Sequence, residues 1–275
     1  MTVRGFGGAG EVPAEVAAFI VGDTAAVDGV FASFLQQDSG CRAFGVRAGS
    51  GRWFAKVPVE ARAGASVRRA VTLHDSVRHA TVVPLLGTVP TEHGPALVYP
   101  WVDGEVLYGA PTRGRATRVD PSGPHARFRA LPLPAVLAAV DSVFDAHIAV
   151  AAAGFVAVDL YDGCFIYDFA RRRMWLCDLD EYRPGPFCVD GDRLPGSTRF
   201  MAPEELRSEG TIDQRTTVFN LGRTARVLLD SGDLDGRFRG SGPALGVLGR
   251  ALRIDPGDRY QTVPEFLAAW RTSVG

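Results

Sequence analysis

The sequence predicts an α+β fold, with an antiparallel sheet first and mostly helices after it. Three short apolar runs between residues 31 and 59 are separated by tight turns, which is the pattern of an antiparallel meander. Further along, Leu133–Ala153 is alanine-rich, with apolar residues at helical spacing, and it leads into Gly154, which suits the end of a helix. A second hairpin is expected at 164–177, where two apolar runs flank the polar turn 170–173.

Composition narrows the class of protein. The chain has 275 residues, 46% of them hydrophobic, and a net charge of −1, which favours a folded core and gives no overall attraction to nucleic acid. We find no apolar signal core at the amino end and no run approaching the roughly 20 apolar residues of a membrane span. The expectation is therefore a cytoplasmic protein with neither nucleic-acid nor membrane partners. The four cysteines lack CxxC spacing and are expected to be reduced thiols.

One lysine stands out against a background rich in arginine. Of the 30 basic residues 29 are arginine, and Lys56 is the remaining one. A lysine retained in such a background is expected to serve as a compact ammonium rather than as a generic surface cation.

The elements before residue 105 follow from pattern. Residues 1–30 are expected to be an extension with a short helix over Ala14–Ile20, to which we assign no role. A helix is predicted over Ala61–Arg78 and an apolar strand over Ala96–Val102. The three strands of the meander are Phe31–Gln36, Cys41–Arg47 and Trp53–Val59, and Lys56 falls in the third.

A basic segment at about 108–129 carries five arginines, including Arg113, among Pro, Gly and Ser. It is expected to be a mobile insertion, either a substrate-docking loop or, as is commoner for loops, a solvated linker.

Two aspartates flank the central hairpin. Asp159 precedes the run Cys164–Tyr167 by five residues, and Asp178 directly follows Met174–Cys177. Carboxylates brought together in this way can divide the work of phosphoryl transfer. One orients or deprotonates the attacking hydroxyl, and the other holds the magnesium that bridges the phosphates.

Three further phrases carry a resemblance. Residues 196–204, GSTRFMAPE, resemble the end of the activation segment in Ser/Thr protein kinases; residues 255–259, DPGDR, resemble the Asp-Pro-x-x-Arg element; and Phe54–Val57 resembles the Val-Ala-Ile-Lys strand. In this order, and across residues 31–272, the chain resembles a divergent eukaryotic-like (Hanks-type) bacterial Ser/Thr protein kinase with a degenerate glycine-rich loop and catalytic loop.

The resemblance implies a bilobal kinase domain, with an N-lobe at 31–101 and a C-lobe at 102–275. It also implies ATP and Mg²⁺ (or Mn²⁺) as cofactors and a protein or peptide substrate. By the same comparison Asp159 and Lys56 are catalytic, Lys56 also binding the nucleotide phosphates, and Asp178 binds the metal. Gly40, in the turn that replaces the glycine-rich loop, and Val102 and Glu105, at the hinge, would bind the nucleotide. A plain hairpin turn explains the sequence around Gly40 equally well.

Three departures weaken the match. Val158 replaces the arginine before the catalytic aspartate, so activation-loop phosphorylation is not expected to switch the protein on. Cys164 replaces the second metal-binding asparagine, and a thiol is a poor ligand for magnesium, so Asp180 or Asp162 is expected to supply the missing oxygen. The alternative for Asp180 is that it points to solvent or caps a turn. Ala70 stands where the αC glutamate belongs, which leaves Glu60, Asp75 and Asp178 as open choices for pairing with Lys56.

The carboxyl-terminal half matches better. Ser197 is expected near the catalytic aspartate, and Glu204 is expected to form a buried ion pair with Arg259. Thr217 replaces the aspartate that anchors the catalytic loop, although its hydroxyl can still accept a hydrogen bond.

The leading hypothesis is an ATP- and Mg²⁺-dependent Ser/Thr protein phosphotransferase, atypical and of low activity. A pseudokinase that acts as a nucleotide-binding or scaffolding partner is the first alternative. The second is a kinase-like phosphotransferase for a small molecule or a precursor peptide.

Overall fold

A computed structural model describes residues 4–5, 11–35, 38–108 and 115–275. The chain forms two compact units. Unit 1 comprises residues 1–78 and 83–102, and unit 2 comprises residues 79–82 and 103–275. The α+β expectation is confirmed: an antiparallel sheet dominates unit 1, and most helices lie in unit 2.

Unit 1 is built on a six-stranded antiparallel sheet in the order β1-β5-β6-β4-β3-β2. Its strands are β1 (Arg4–Gly5), β2 (Gly29–Phe34), β3 (Cys41–Ala48), β4 (Gly51–Pro58), β5 (Gly87–Thr91) and β6 (Gly94–Pro100). The meander β2-β3-β4 predicted from the sequence is present, displaced by up to two residues at its ends. Gln36, which the predicted first strand included, lies outside the described residues.

The segment expected to be an amino-terminal extension belongs to the sheet unit instead. Helix α1 (Ala14–Ile20) forms where predicted, and β1 pairs with β5. Val12, Val16 and Ala17 are buried in one core cluster with Val46, Val89 and Val98, among other sheet residues. The sequence boundary at residue 30 is therefore corrected, because this segment covers apolar surface of the sheet that would otherwise contact water.

Helix α2 (Ala63–Ser76) packs on β6 and β4. Ala63, Val67 and Ala70 are buried in a cluster with Leu97 of the sheet. After α2, residues 79–82 belong to unit 2, where Val82 bridges Leu176. The predicted boundary between the two halves, after residue 101, lies one residue from the end of unit 1.

Unit 2 is mainly helical. Its helices are α3 (Arg115–Val119), α4 (Pro124–Ala130), α5 (Leu133–Ala152), α6 (Gln214–Leu228), α7 (Gly242–Ala251) and α8 (Val263–Val274). Its strands are β7 (Glu105–Val106), β8 (Phe155–Val156), β9 (Phe165–Asp168), β10 (Arg173–Leu176), β11 (Arg183–Pro184), β12 (Phe187–Cys188) and β13 (Thr211–Ile212). The hairpin β9-β10 confirms the second predicted hairpin, and β7 joins it to make three strands.

Helix α5 comes closer to a membrane span than the sequence analysis allowed. Its 20 residues are long and apolar enough to cross a bilayer by length and composition alone. Half of its most apolar window is buried inside the fold, and the helix packs against α8, α6 and the short strands β8 and β10. This burial is what a core helix of unit 2 requires.

The basic insertion is more ordered than predicted. Its described part, residues 115–129, contains α3 and most of α4 instead of a mobile loop, while Arg113 lies outside the described residues. His125, Phe128 and Arg129 are buried, so the solvated-linker alternative is wrong for this part. The arginine and proline content of this segment led to a loop prediction, whereas its buried residues belong to a helix.

Candidate functional site

Lys56 lies in β4, opposite Ala43 of β3 and Leu97 of β6, and is only 7% exposed. Burying a lysine costs free energy unless the ammonium is compensated, so this position is not that of a solvated surface lysine. Ala70 of α2, at the position of the missing glutamate, is fully buried. Of the three carboxylates considered as partners, Glu60 forms an exposed ion pair with Arg62, from Oε2 to Nε at 2.5 Å.

Gly40 ends the β2–β3 connection in the left-handed region, at φ +72°. Its carbonyl accepts hydrogen bonds from the backbone N–H groups of Val59 (3.0 Å) and Glu60 (3.2 Å), which ties the turn to the end of β4. Gly45 has a different role. A Cβ there would come within 2.8 Å of the rings of Phe31 and Trp101, so this glycine makes room for aromatic packing and not for a phosphate.

The two predicted hinge residues fall in different units. Val102 is the last residue of unit 1. Glu105 begins β7 in unit 2, and both of its carboxylate oxygens accept hydrogen bonds from Arg127 Nη1, at 2.9 and 3.0 Å. Glu105 therefore has an ion-pair partner in this structure, at a half-exposed position.

Asp159 and Asp178, predicted as base and metal ligand, share an unusual backbone conformation. Each has φ of +59°, in the left-handed region, and the other described non-glycine residues with positive φ are Arg172, Glu209 and Leu234. Aspartate tolerates this region better than most residues, yet it still costs free energy. Strained backbone concentrates at functional sites, and both aspartates at the hairpin have it.

Cys164 contacts the backbone of Asp159 and that of Cys177, the residue before Asp178. It is fully buried, and its thiol donates to the carbonyl oxygen of Asp159, with an Sγ–O distance of 3.4 Å. Across the hairpin, Cys177 donates its N–H to the carbonyl oxygen of Cys164 at 2.9 Å. Burial raises the pKa of the Cys164 thiol, and the nearby charges of Asp178 and Asp159 raise it further. Cys164 is thus a neutral thiol that hydrogen-bonds to the backbone of Asp159.

Asp162 is held by other groups. It is buried, and its Oδ2 lies 3.0 Å from His125 Nε2 and 3.1 Å from Arg199 Nη1. Neither partner could be found from the sequence, because each lies 37 residues away. An oxygen engaged by two donors is a poor candidate for a metal ligand, so the arrangement disfavours Asp162 as the replacement oxygen.

Asp180 is 5% exposed, and the prediction that it merely points to solvent is wrong. Asp178, by contrast, is exposed. Within the described residues, no three His, Cys, Asp or Glu side chains come together in a way that could hold a metal ion. Magnesium commonly uses only one or two carboxylates together with water and substrate phosphates. Asp178 fits such a site as a single exposed carboxylate.

The activation-segment glycine lies against the proposed base. Gly196 has φ of +140°, and a Cβ added to it would sit 3.4 Å from Asp159 Oδ1. The carbonyl of Ser197 accepts hydrogen bonds from Phe200 N (2.8 Å) and Met201 N (3.2 Å), so the chain turns directly after this contact. The contact with Asp159 is made by Gly196, and the proximity of the Ser197 hydroxyl to Asp159 stays a prediction.

The predicted ion pair between Glu204 and Arg259 is confirmed. Arg259 Nη1 and Nη2 meet the two Glu204 oxygens at 2.7 and 2.9 Å, and both side chains are at most 1% exposed. The arginine also donates to the carbonyls of Arg253, Ile254 and Arg215. All five guanidinium N–H groups are therefore used, which compensates the burial of the charge.

The anchoring role expected of Thr217 is confirmed as well. Its hydroxyl accepts a hydrogen bond from the backbone N–H of Ala157 at 3.0 Å, and both residues are buried. Because Ala157 is two residues before Asp159, this bond ties the backbone that leads to Asp159 to α6.

A buried histidine beneath the loop was not predicted as part of the site. His147 Nδ1 lies 2.7 Å from the carbonyl of Val143, and its Nε2 lies 2.9 Å from the hydroxyl of Tyr182. Burial lowers the pKa of His147 to about 4. The neutral ring thus donates from Nδ1 and accepts the Tyr182 proton at Nε2, which supports the segment that follows Asp180.

No protein-family model and no curated protein matches this sequence.

Proposed function

We propose that the chain is an ATP- and Mg²⁺-dependent phosphotransferase of protein-kinase-like bilobal architecture, transferring the γ-phosphoryl group to a Ser or Thr hydroxyl of a protein. The observation that carries this proposal is the pair of left-handed aspartates, Asp159 and Asp178, at one hairpin, where Cys164 hydrogen-bonds both to Asp159 and to Cys177, the residue before Asp178. Two aspartates with strained backbone at one hairpin suit phosphoryl transfer, in which one carboxylate acts on the hydroxyl and the other holds the metal, better than they suit a structural turn.

In this proposal Asp159 accepts the proton of the acceptor hydroxyl. The hydroxyl oxygen forms a bond to the γ-phosphorus, and the bond from that phosphorus to the β–γ bridging oxygen breaks, leaving ADP. Lys56 pairs with the phosphate oxygens as a compact ammonium. Asp178 would hold Mg²⁺, which when bound neutralises charge on the phosphates.

The buried contacts of unit 2 support this assignment by keeping the loop in place. Thr217 fixes the backbone two residues before Asp159, and Cys164 holds the carbonyl of Asp159 itself. The Glu204–Arg259 pair secures the segment that begins at Gly196, whose backbone lies beside the Asp159 carboxylate. Phosphoryl transfer depends mostly on positioning and electrostatics, so preorganisation of this kind is what the reaction needs.

The experiment is incubation of the protein with γ-labelled ATP, Mg²⁺ or Mn²⁺, and a cell lysate. Phosphate transfer should fall by about 10²-fold or more in Asp159→Asn, through loss of the base, and should also be lost in Asp178→Asn and Lys56→Ala. Asp190→Asn, at an exposed carboxylate of the same unit, is the matched control. Transfer that survives Asp159→Asn would eliminate the proposed base.

One observation favours a second candidate, a pseudokinase. The position of the second metal ligand is filled by a buried thiol that bonds to backbone, and no group of three metal-binding side chains occurs among the described residues. Thermal unfolding distinguishes the two functions. Stabilisation by ATP that requires Mg²⁺ and disappears in Asp178→Asn supports catalysis, whereas metal-independent stabilisation without turnover supports a nucleotide-binding partner protein.

A further inference from the structure

Three arginines of unit 2 lie near Arg199, and we call these four residues the arginine cluster. They are Arg118 of α3, Arg129 of α4, Arg199 of the activation segment and Arg223 of α6. The side chains of Arg118 and Arg199 are 15% and 16% exposed, and Arg129 as a residue is 5% exposed. The cluster is thus largely desolvated but reaches the surface through two of its members.

Two carboxylates contact this cluster. Asp233 accepts hydrogen bonds from Arg118 Nε and Nη2, both at 2.9 Å, and also pairs with Arg199. Asp162 pairs with Arg199 and with His125, and burial lowers the pKa of His125, so the imidazole adds no charge near neutral pH. The charge of buried Asp230 also acts on Arg129, and Asp230 pairs with Arg226 at 3.6 Å, so five guanidinium groups against three carboxylates leave a formal excess of two positive charges.

Arg129 and Arg223 have donors left over. Arg129 Nη2 donates to the carbonyl of Arg118, but its Nε and Nη1 are buried and have no hydrogen-bond partner among the described residues. Arg223 Nε is in the same condition, and its guanidinium lies 5.6 Å from the centroid of the Phe219 ring. Buried guanidinium donors are ordinarily satisfied, so an acceptor is expected at this position.

Arg129 and Arg223 both lie within electrostatic range of Arg199. Burial is the main cause that lowers the pKa of Arg129 and of Arg223, and the charge of Arg199 contributes to lowering both. Arg199 is therefore close to each of them. Like charges in a poorly solvated site repel strongly, and an anion with several oxygens would remove both the repulsion and the unsatisfied donors.

We propose that the arginine cluster is a binding site for a phosphate monoester, whose dianion matches the excess of two charges and whose oxygens can accept from Arg129 and Arg223. Guanidinium groups suit this ligand because they present several fixed donors to phosphate oxygens. The site is separate from the proposed phosphotransfer chemistry, since neither Lys56 nor Asp178 belongs to it.

The test measures thermal stability and isothermal binding of the full chain with inorganic phosphate at pH 7.5, with sodium acetate and sodium chloride at equal ionic strength as references. Phosphate should stabilise the protein more than either reference. Arg129→Gln should raise the dissociation constant for phosphate about tenfold or more, because it removes charged hydrogen bonds. If Arg129→Gln does not fold, Arg223→Gln, at a partly buried position, is expected to weaken phosphate binding in the same direction.

Two controls localise the site. Arg207→Gln, at an exposed arginine of unit 2, should bind phosphate as the wild type does. Lys56→Ala should also retain phosphate binding while losing phosphotransfer, so failure of one proposal is distinguishable from failure of the other. Phosphate binding abolished by Lys56→Ala but unchanged in Arg129→Gln and Arg223→Gln would place the anion elsewhere and overturn the inference.

Two peptides identify the source of the phosphate group. One carries a single phosphoserine and the other a serine at the same position. Displacement of inorganic phosphate by the phosphopeptide alone would show that the site takes a phosphorylated polypeptide. Binding of inorganic phosphate without displacement would assign it to the free anion. Absence of any stabilisation beyond that of chloride would overturn the proposal.

Discussion

At the scale of single residues, the backbone of Asp178 makes function and stability oppose each other. A side chain at φ +59° pays a steric cost that glycine avoids, while the proposed metal ligation requires the carboxylate. Arg172, in the turn of the β9-β10 hairpin, has nearly the same conformation at φ +52° without any proposed chemistry. The two sites therefore allow backbone strain to be measured with and without catalysis.

We predict that Asp178→Gly is about 0.5–1 kcal/mol more stable than Asp178→Ala, because alanine keeps the Cβ in the left-handed region. Arg172→Gly should likewise be more stable than Arg172→Ala. At Asp190, which does not have positive φ, the order should reverse. Urea unfolding checks all three pairs. Equal stabilities of the two Asp178 variants would contradict the strained conformation.

Asp159 and Asp178 are candidates from the sequence alone, and their roles stay predictions, whereas the long-range contacts of the neighbouring Asp162 could not be found there. Asp159 and Asp178 follow from their places beside two apolar runs. The partners of Asp162, by contrast, come from α4 and from the segment before Glu204, and nothing local to Asp162 indicates them. Asp162 therefore looked available as a metal ligand until its long-range contacts were known.

At the scale of elements, the Glu204–Arg259 pair joins the activation segment to the region before α8. Arg259→Ala should cost about 3–5 kcal/mol, since Glu204 would remain buried without its counter-charge. Arg271, on α8, pairs with Asp141 and Asp145 at half-exposed positions, and Arg271→Ala should cost under about 1 kcal/mol. Chemical denaturation of both variants is the measurement. Similar losses in the two would refute the assigned difference in burial.

The hydroxyl of Thr217, on helix α6, accepts the hydrogen bond from the backbone N–H of Ala157, two residues before Asp159. Thr217→Val preserves shape but leaves the buried N–H of Ala157 without an acceptor, so we expect a loss of about 1–3 kcal/mol. Thr217→Ser retains the oxygen and should lose less. Phosphotransfer should fall in Thr217→Val more than in Thr217→Ser, because the hydroxyl positions the residues before Asp159. A valine variant as stable and active as the serine variant would contradict this role.

Elements with strong local patterns were predicted well. The helix over Ala14–Ile20 and the helix from Leu133 onwards depend on periodicity within the segment, and both formed within one residue of the expected bounds. Strand β1 was missed because two residues carry no pattern. Helices α3 and α4 were missed because their order depends on distant contacts, such as Arg118 with Asp233.

At the scale of the whole molecule, three buried titratable groups shape the pH dependence of stability. Burial lowers the pKa of His74 and of His147 to about 4, so their contribution is present above pH 6.5 and is lost as pH falls towards 4. Burial raises the pKa of Glu205 to about 7, so its contribution is complete below pH 4.5 and is lost as pH rises through 7.

We predict that Glu205→Gln gains stability relative to the wild type as pH rises from 5 to 7, by up to about 3 kcal/mol. The reason is that glutamine cannot ionise, whereas Glu205 must be charged in a buried position at higher pH. Urea unfolding of both proteins at half-unit intervals of pH provides the difference. A stability difference that is constant across this range would contradict the raised pKa.

The burial of Lys56 makes its chemical modification a measure of the unfolding of unit 1. Lys56 is the sole side-chain amine in the sequence, and in β4 it is only 7% exposed to water. An amine-reactive ester should therefore modify it slowly in the native protein and rapidly once the sheet opens. A single peptide in a mass spectrum would then follow the opening of unit 1, without any engineered label.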